Sequence, residues 1–381
     1  MRPVKIVHCA DVHLDASFAG AGLTNTAAKL RAEELKDAFA RIVGLVRSEE
    51  AGLFLIAGDL FEHEYVRKST VQFVIDRIAR QIPDVPVFIA PGNHDPYRPD
   101  SYYATLTWPP NVTIFGPRWE RVHLPQLGVT VHGWGFDREH VAERRLAELR
   151  IDPEEAARAI QIVVLHGSDE RVPAEEDVYL PLSAAECQAT GADYIALGHF
   201  HGHHVVATRP GAAGPLAAYP GSPESLSFGQ SRPHGVLVGT VGREGNDLRL
   251  VAVGQREHLT AEVDVTGAAT LEDVLARVEA AIPAADRARH LYRVTLTGEV
   301  DPDLDADPAV IEARLADRFY SLTVRDRTAP ALDLQALAAE NSLRGHFVRE
   351  VLARLEGAAA GEAEELRLAL RYGLQALAER R

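Results

Sequence analysis

The chain has 381 residues, of which 46% are apolar and 25% charged. That composition builds packed cores and excludes a disordered chain or a disulfide-stapled miniprotein, and the length predicts two or three domains. A net charge of −15 argues against a nonspecific nucleic-acid binder, whose footprint should be basic. The balance is uneven, with 12 basic and 14 acidic groups in residues 1–100 against 8 and 15 in residues 101–200. Only four lysines occur, so any grip on phosphate rests on arginine, and DNA is not excluded. No run approaches the ~20 apolar residues of a membrane span. Two cysteines, Cys9 and Cys187, and an N-terminus without an export signal predict a reducing cytoplasm.

Short β-type runs alternate with helical patterns over the first two hundred residues, which predicts an α/β sheet. Expected strands are Val4–Ala10, Leu53–Ala57, Val85–Ala90, Val129–Trp134, Ile162–Leu165 and Tyr194–Leu197. Leu35, Phe39, Ile42, Val43 and Val46 recur at helical spacing between the first two. After a Gly/Pro-rich passage over 209–216, His234–Val241 and Leu248–Val253 read as a hairpin around 242–246. The rhythm changes near Arg256 to strand (Leu259–Val265), helix (Leu271–Ile282), strand (Leu291–Thr297), helix (Pro308–Phe319) and strand (Ser321–Val324). Thr270 and Asp307-Pro308 supply helix starts. The last fifty residues are helical, with Leu366, Leu370, Leu374 and Leu377 in one stripe, more simply packed on its own domain than kept for a partner. The expected division is 1–255, a small α/β unit over 256–330, and a helical segment over 331–381.

Chemistry gathers where strands end. Asp11-Val-His13 follows the first strand, Gly58-Asp59 the second and Gly92-Asn-His-Asp95 the third, while later strands end in His166-Gly167 and Gly198-His-Phe-His201. The carboxyl ends of strands in an α/β sheet form the ligand-binding edge. Imidazole, carboxylate and amide donors without thiolate suit manganese, iron or zinc rather than a structural zinc site. Seven groups exceed what one ion needs, and two ions sharing a carboxylate use them all. Asp11, His13, Asp59 and His201 are assigned to one ion and Asp59, Asn93, His166 and His199 to the other, with Asp59 bridging. Such a pair, ~3.5–4 Å apart, is the clamp of phosphate-ester hydrolysis. His94, next to Asn93, is the expected proton donor to the leaving oxygen. Asp95 either orients the His94 imidazole or stabilises the turn.

The ordered set Asp-x-His, Gly-Asp, Gly-Asn-His-Asp, His-Gly and Gly-His-x-His resembles the signature of calcineurin-like metallophosphoesterases. Ala10-Asp-Val-His-Leu-Asp15, Gly58-Asp-Leu-Phe61, Ala196-Leu-Gly-His-Phe-His201 and Tyr219-Pro-Gly-Ser-Pro223 narrow the resemblance to SbcD-type DNA repair exonucleases, and within them to the YhaO-like branch. The resemblance implies a four-layer β-sandwich flanked by helices, with a small α/β cap that contacts DNA and a helical C-terminal tail. It also implies two divalent ions, most simply Mn2+ with Fe2+ or Zn2+ as alternatives. The implied partners are DNA, an SbcC-like ABC-type ATPase with a long coiled coil, and a second copy of the chain. The implied activity is metal-dependent DNA exonuclease, with endonuclease action left open. Some of the wider nuclease family carry a phosphate-holding histidine after Gly-Asp-Leu-Phe; here the residue is Glu62, followed by His63, so that role is not carried over.

Two other function classes compete. A phosphodiesterase for a small nucleotide or other small ester would use the same site, and the acidic stretch Asp169–Asp177 beside His166 would repel a polyanion if it overhung it. A noncatalytic interaction subunit has no need of the intact donor set. No Gly-x-x-x-x-Gly-Lys loop for ATP occurs.

Overall fold

A computed structural model describes residues 1–18, 25–63, 65–172, 178–230, 233–301, 304–331 and 333–378. The chain divides into two compact units, Met1–Thr260 with Ala284–Arg293 and Ala316–Thr323, and Ala261–Pro283 with Val294–Leu315 and Val324–Arg381.

The first unit is built from β1 (Val4–Cys9), β2 (Leu53–Ile56), β3 (Val87–Ile89), β4 (Val112–Ile114), β5 (Glu120–Leu124) and β6 (Val129–Gly133). It continues with β7 (Ile160–His166), β8 (Tyr194–Gly198), β9 (His204–Thr208), β10 (Pro215–Tyr219), β11 (Val236–Gly242) and β12 (Gly245–Val251). They form two six-stranded sheets in the orders β12-β11-β1-β2-β3-β4 and β5-β6-β7-β8-β10-β9. Strand side chains alternate between faces, and the burial follows. Ile6, Leu53, Leu55 and Phe88 of one sheet share a core with Val131, Ile160, Ile162 and Val164 of the other. Val7, Phe54 and Ile56 point the opposite way, into a core with Leu35, Phe39, Ile42 and Val46 of α1 (Asn25–Ser48) and Val71, Val74 and Ile78 of α2 (Lys68–Gln81). Val163 and Leu165 pack on the far side with Leu146 and Cys187, the latter in α5. Helix, sheet, sheet and helix make the four expected layers. The short helices of this unit are α3 (Tyr102–Thr105), α4 (Pro153–Arg158) and α5 (Ala184–Ala189).

Every strand expected before residue 200 is present, each within a few residues of its expected ends. β4, β5, β9 and β10 carry no sequence signal of their own: β4 has three residues, and β5 (ERVHL) is half charged or polar. The hairpin is tighter than expected, with Gly242 paired to Gly245 across Arg243-Glu244. Both cysteines are buried and unpaired.

Beyond residue 255 lie β13 (His258–Asp264), α6 (Leu271–Ala281), α7 (Ala284–Arg289), β14 (Leu291–Thr297), β15 (Glu299–Val300), α8 (Pro308–Leu315), β16 (Ser321–Asp326) and β17 (Ala329–Pro330). β13, β14 and β16 form a three-stranded sheet and β15 pairs with β17. Thr270 caps α6 in a reciprocal box with Asp273. α8 stops at Leu315, and a single 3-10 turn over Ala316–Arg318 replaces its expected last turn. In the second unit α9 (Leu334–Ala339), α10 (Leu343–Leu355) and α11 (Ala360–Ala378) pack together, and Leu370 and Leu374 are buried against Val348 and Val351. The leucine stripe is therefore largely covered within its own unit. Among the described residues no helix is long and apolar enough to cross a membrane.

Candidate metal centre

Asp11 and His13 follow β1, Asp59 follows β2, and Asn93 and His94 follow β3, while His166 ends β7 and His199 and His201 follow β8. One sheet thus supplies the carboxylates and the amide, and the other supplies three imidazoles. The turns are sharp. Asp11, His13, Asp59 and His199 have φ of 53°, 48°, 50° and 122°, values rarely adopted by residues with a Cβ. The Asp11 N–H donates to Gly58 O at 3.1 Å and the His13 N–H to Asp59 O at 3.0 Å, which ties the first loop to the second. At Gly92 a side chain is impossible because its Cβ would meet Asp59 Oδ1.

Asp11, His13 and His201 offer donor atoms within 4.8 Å of one another, and so do Asp11, Asp59 and His166, and His13, Asp59 and His94. A single oxygen, Asp59 Oδ2, lies 3.8 Å from His13 Nε2 and 3.3 Å from His166 Nε2, so it faces both groups. Asn93 Oδ1 stands 3.0 Å from His166 Nε2. His166 Nδ1 donates to Ala57 O at 2.9 Å, which fixes the ring with Nε2 turned inward. The His199 backbone N–H donates to both Asp11 oxygens at 3.1 Å, and its ring meets that of His166 edge-on at 5.3 Å.

The charges are out of balance. Burial pushes the Asp11 carboxyl up to about 7. At Asp59 burial is outweighed by His166, His94 and His13, which hold the carboxyl well below its usual range. At His166 the penalty of burial is likewise outweighed, by the charge and hydrogen bond of Asp59, and the imidazole rises to about 9. Burial, then the neighbouring charge of His166, lowers His199 to about 3, and burial with the charge of His13 takes His201 well below the ordinary histidine range. His13 Nε2 and His201 Nε2 face each other at 3.2 Å, so one must give up acceptor character or a shared Lewis acid must take both lone pairs. Nitrogen and oxygen donors converging on two fully buried carboxylates fit divalent cations.

Asp95 does not reach the His94 ring, and the expectation that it orients that imidazole is corrected. Its carboxylate accepts from the N–H groups of Asp59 (3.1 Å), Leu60 (2.8 Å), Phe61 (3.2 Å) and Gly92 (2.7 Å) and from the Tyr103 hydroxyl (2.6 Å). Asp95 stitches the second and third loops together, the turn-stabilising alternative. The group that touches the imidazole is Glu62, whose Oε1 lies 2.9 Å from His94 Nδ1 and whose Oε2 lies 3.2 Å from His13 Nδ1. Burial opposes the charge on both residues, but His13 and then His94 lower Glu62 to about 2, while Glu62 and then Asp59 raise His94 to about 9. The sequence held one signal for Glu62, an acid at the position where related nucleases carry histidine. Of the acidic stretch beside His166, Asp169 is buried and paired with Arg171 at 2.7 Å, and residues 173–177 lie outside the described residues.

Two facing sheets with an aspartate–histidine–asparagine cage at their loop edge define a phosphoesterase architecture. Residues 4–203 match the calcineurin-like phosphoesterase family, and the chain belongs to it. The chain is 26% identical over 369 residues to the DNA double-strand break repair protein Mre11 of Methanopyrus kandleri, a match covering 90% of this chain and 77% of that protein. It is 25% identical over 247 residues to the uncharacterized metallophosphoesterase YhaO of Bacillus subtilis, covering 62% of this chain and 57% of that protein.

Proposed function

We propose that this phosphoesterase is a two-metal-dependent DNA nuclease of the SbcD type, hydrolysing phosphodiester bonds during cytoplasmic DNA repair or end processing. The observation that carries the reading is the likeness to an Mre11 repair protein over 90% of the chain, which runs well past the phosphoesterase match ending at residue 203. A small phosphodiester needs no such extension. In this reading 1–255 form the nuclease, 256–330 a cap that contacts DNA, and 331–381 a docking segment for an SbcC-like coiled-coil ATPase, with the chain acting as a dimer.

The metal-holding residues are Asp11, His13, Asp59 and His201 on one side and Asp59, Asn93, His166 and His199 on the other. When bound, two divalent ions, Mn2+ by preference, supply an activated water nucleophile and neutralise charge on the phosphate. His94 supplies the leaving oxygen with its proton. In the metal-free protein Glu62 and then Asp59 raise its imidazole to about 9 against the effect of burial, and its backbone N–H is anchored on Asp59 Oδ1 at 2.9 Å. Glu62 aims the ring from the opposite nitrogen, which leaves Nε2 for the substrate.

The net charge of −15 favours the second reading, hydrolysis of a small nucleotide or other small phosphodiester. End-labelled DNA and a small chromogenic phosphodiester, each incubated with Mn2+ and with chelator, separate the two. Metal-dependent DNA cleavage is expected. Vigorous hydrolysis of the small ester with DNA intact at every salt concentration would install the second reading instead.

A further inference from the structure

Beyond β12 a cleft of about 370 Å3 is lined by residues 252–256, by Arg41 of α1 and by Arg289 of α7, all in the first unit. Three of its lining residues are arginines and none is acidic. Two of the guanidinium groups are aimed by one short stretch of backbone. The Arg41 Nε–H donates to Val253 O at 2.6 Å and the Arg289 Nε–H to Gln255 O at 2.9 Å. That stretch is itself held: a Cβ on Gly254 would meet Pro223 O at 2.7 Å, and the Gln255 N–H donates to Glu224.

The carboxylates behind the cleft are already matched. Arg31 bonds Glu34 and Glu224, and Arg256 bonds the other Glu34 oxygen at 2.7 Å. With Arg41 and Arg289, four guanidinium groups thus face two carboxylates, a surplus of two positive charges in a chain of net charge −15. Arg41 Nη2 stands 3.6 Å from Glu224 Oε1 and has no hydrogen-bond partner among the described residues. Arg289 is exposed, and its one bond uses Nε.

Strand register puts the cleft on the metal-centre edge of its sheet. β1 and β12 both run antiparallel to β11, hence parallel to each other, and Leu237 of β11 pairs with His8 on one side and Leu250 on the other. Three residues on from His8 is Asp11; three on from Leu250 is Val253. Two strand spacings separate β1 from β12, roughly 10 Å. Guanidinium groups held through Nε keep their Nη donors as a fork suited to phosphate oxygens. A DNA strand carries a phosphate about every 3.4 Å of helix axis, so one leaving the metal centre along this edge brings later phosphates to the cleft. We propose that the cleft of Arg41 and Arg289 holds a backbone phosphate of the DNA substrate, a few nucleotides from the one at the metal centre. This rests on the DNA-nuclease reading above and gives an acidic protein a local grip on a polyanion.

The test is binding of a fluorescently labelled DNA duplex to the full chain, in chelator so that nothing is cleaved, over a series of salt concentrations. Arg41→Gln and Arg289→Gln should each weaken binding about 10-fold at low salt. Each should also lower the slope of log affinity against log salt by about one, which a purely structural arginine would not do. Arg289→Lys should keep the slope while losing part of the affinity, because the charge stays and the fork does not. Arg289 is exposed, so its variants serve should Arg41→Gln fail to fold. Calorimetry with inorganic phosphate is the second arm. Phosphate binding that Arg289→Gln abolishes, with DNA affinity unmoved, would give the cleft to a free phosphate and overturn its assignment to the strand. Affinity and slope unchanged in both glutamine variants, with no phosphate bound, would overturn the site and leave the nuclease reading standing. A wild-type protein that neither binds DNA nor cleaves it with Mn2+ would overturn that reading, and the strand assignment with it.

Discussion

Two of the places where the first unit buries charge behave in opposite ways. In one, Arg31 is fully buried with its guanidinium on Glu34, on Glu224 at 3.2 Å and on Ser225 O at 2.8 Å, while Arg256 holds the other Glu34 oxygen at 2.7 Å. Carboxylates and guanidinium groups pair with one another there, with only the Arg31 Nε–H of that guanidinium left without a hydrogen-bond partner. In the other, Asp11 and Asp59 are as deeply buried, but the groups around them are imidazoles, two of which burial strips of their protons. Similar ingredients give a closed structural network in one place and an open demand for cations in the other. Buried acid is therefore no signature of a site; acid ringed by imidazoles in place of guanidinium groups is.

Variants can break this contrast. The largest effect is expected for Asp59→Asn, which should lose one or both ions by elemental analysis and lower turnover on the order of 10⁴-fold or more. Full occupancy in that variant would remove Asp59 from the bridging position. His94→Ala should keep both ions and lower turnover about 10²–10⁴-fold. Because His94 also stands within donor reach of His13 and Asp59, metal loss there would make it a ligand. In the closed network Arg31→Met should cost about 3–5 kcal/mol in denaturant unfolding by stranding Glu224, and adding Glu224→Leu should recover much of it. No paired substitution should rescue the metal centre in the same way.

The smallest effect concerns protons. Burial raises the Asp11 carboxyl to about 7, above its unfolded value of 3.8. Its contribution to the stability of the metal-free protein is thus complete below about pH 4 and is lost as pH rises through 7. A divalent ion requires the deprotonated form, so metal affinity should fall as pH drops below about 7, by up to roughly tenfold per unit for this one group. Calorimetric titration at pH 6 and pH 8 in buffers of different ionisation enthalpy reads the proton released. A release that does not vary with pH would exclude Asp11 as its source.

Much of the centre was legible because chemistry stood at strand ends. Gly58-Asp59 and Gly92-Asn93 need the strand–turn geometry whether or not the sheets are known, and five such endings in order leave few alternatives. What escaped was contact between separate loops. Nothing local distinguishes Asp95, which faces the backbone, from Glu62, which faces His94, because the choice is made by the register of one loop on another. The edge strands escaped for a related reason: β5 has no fully buried residue and β9 buries only Val206 and Ala207, so neither sequence carries a sustained apolar run.

The left-handed turns at Asp11, His13, Asp59 and His199 carry a consequence for how this protein can be altered. Each such conformation costs a side-chain-bearing residue on the order of 1–3 kcal/mol, and glycine would be relieved of most of it. A laboratory campaign selecting for heat resistance alone would be drawn to glycine at these four positions, and its hardiest survivors would be inert.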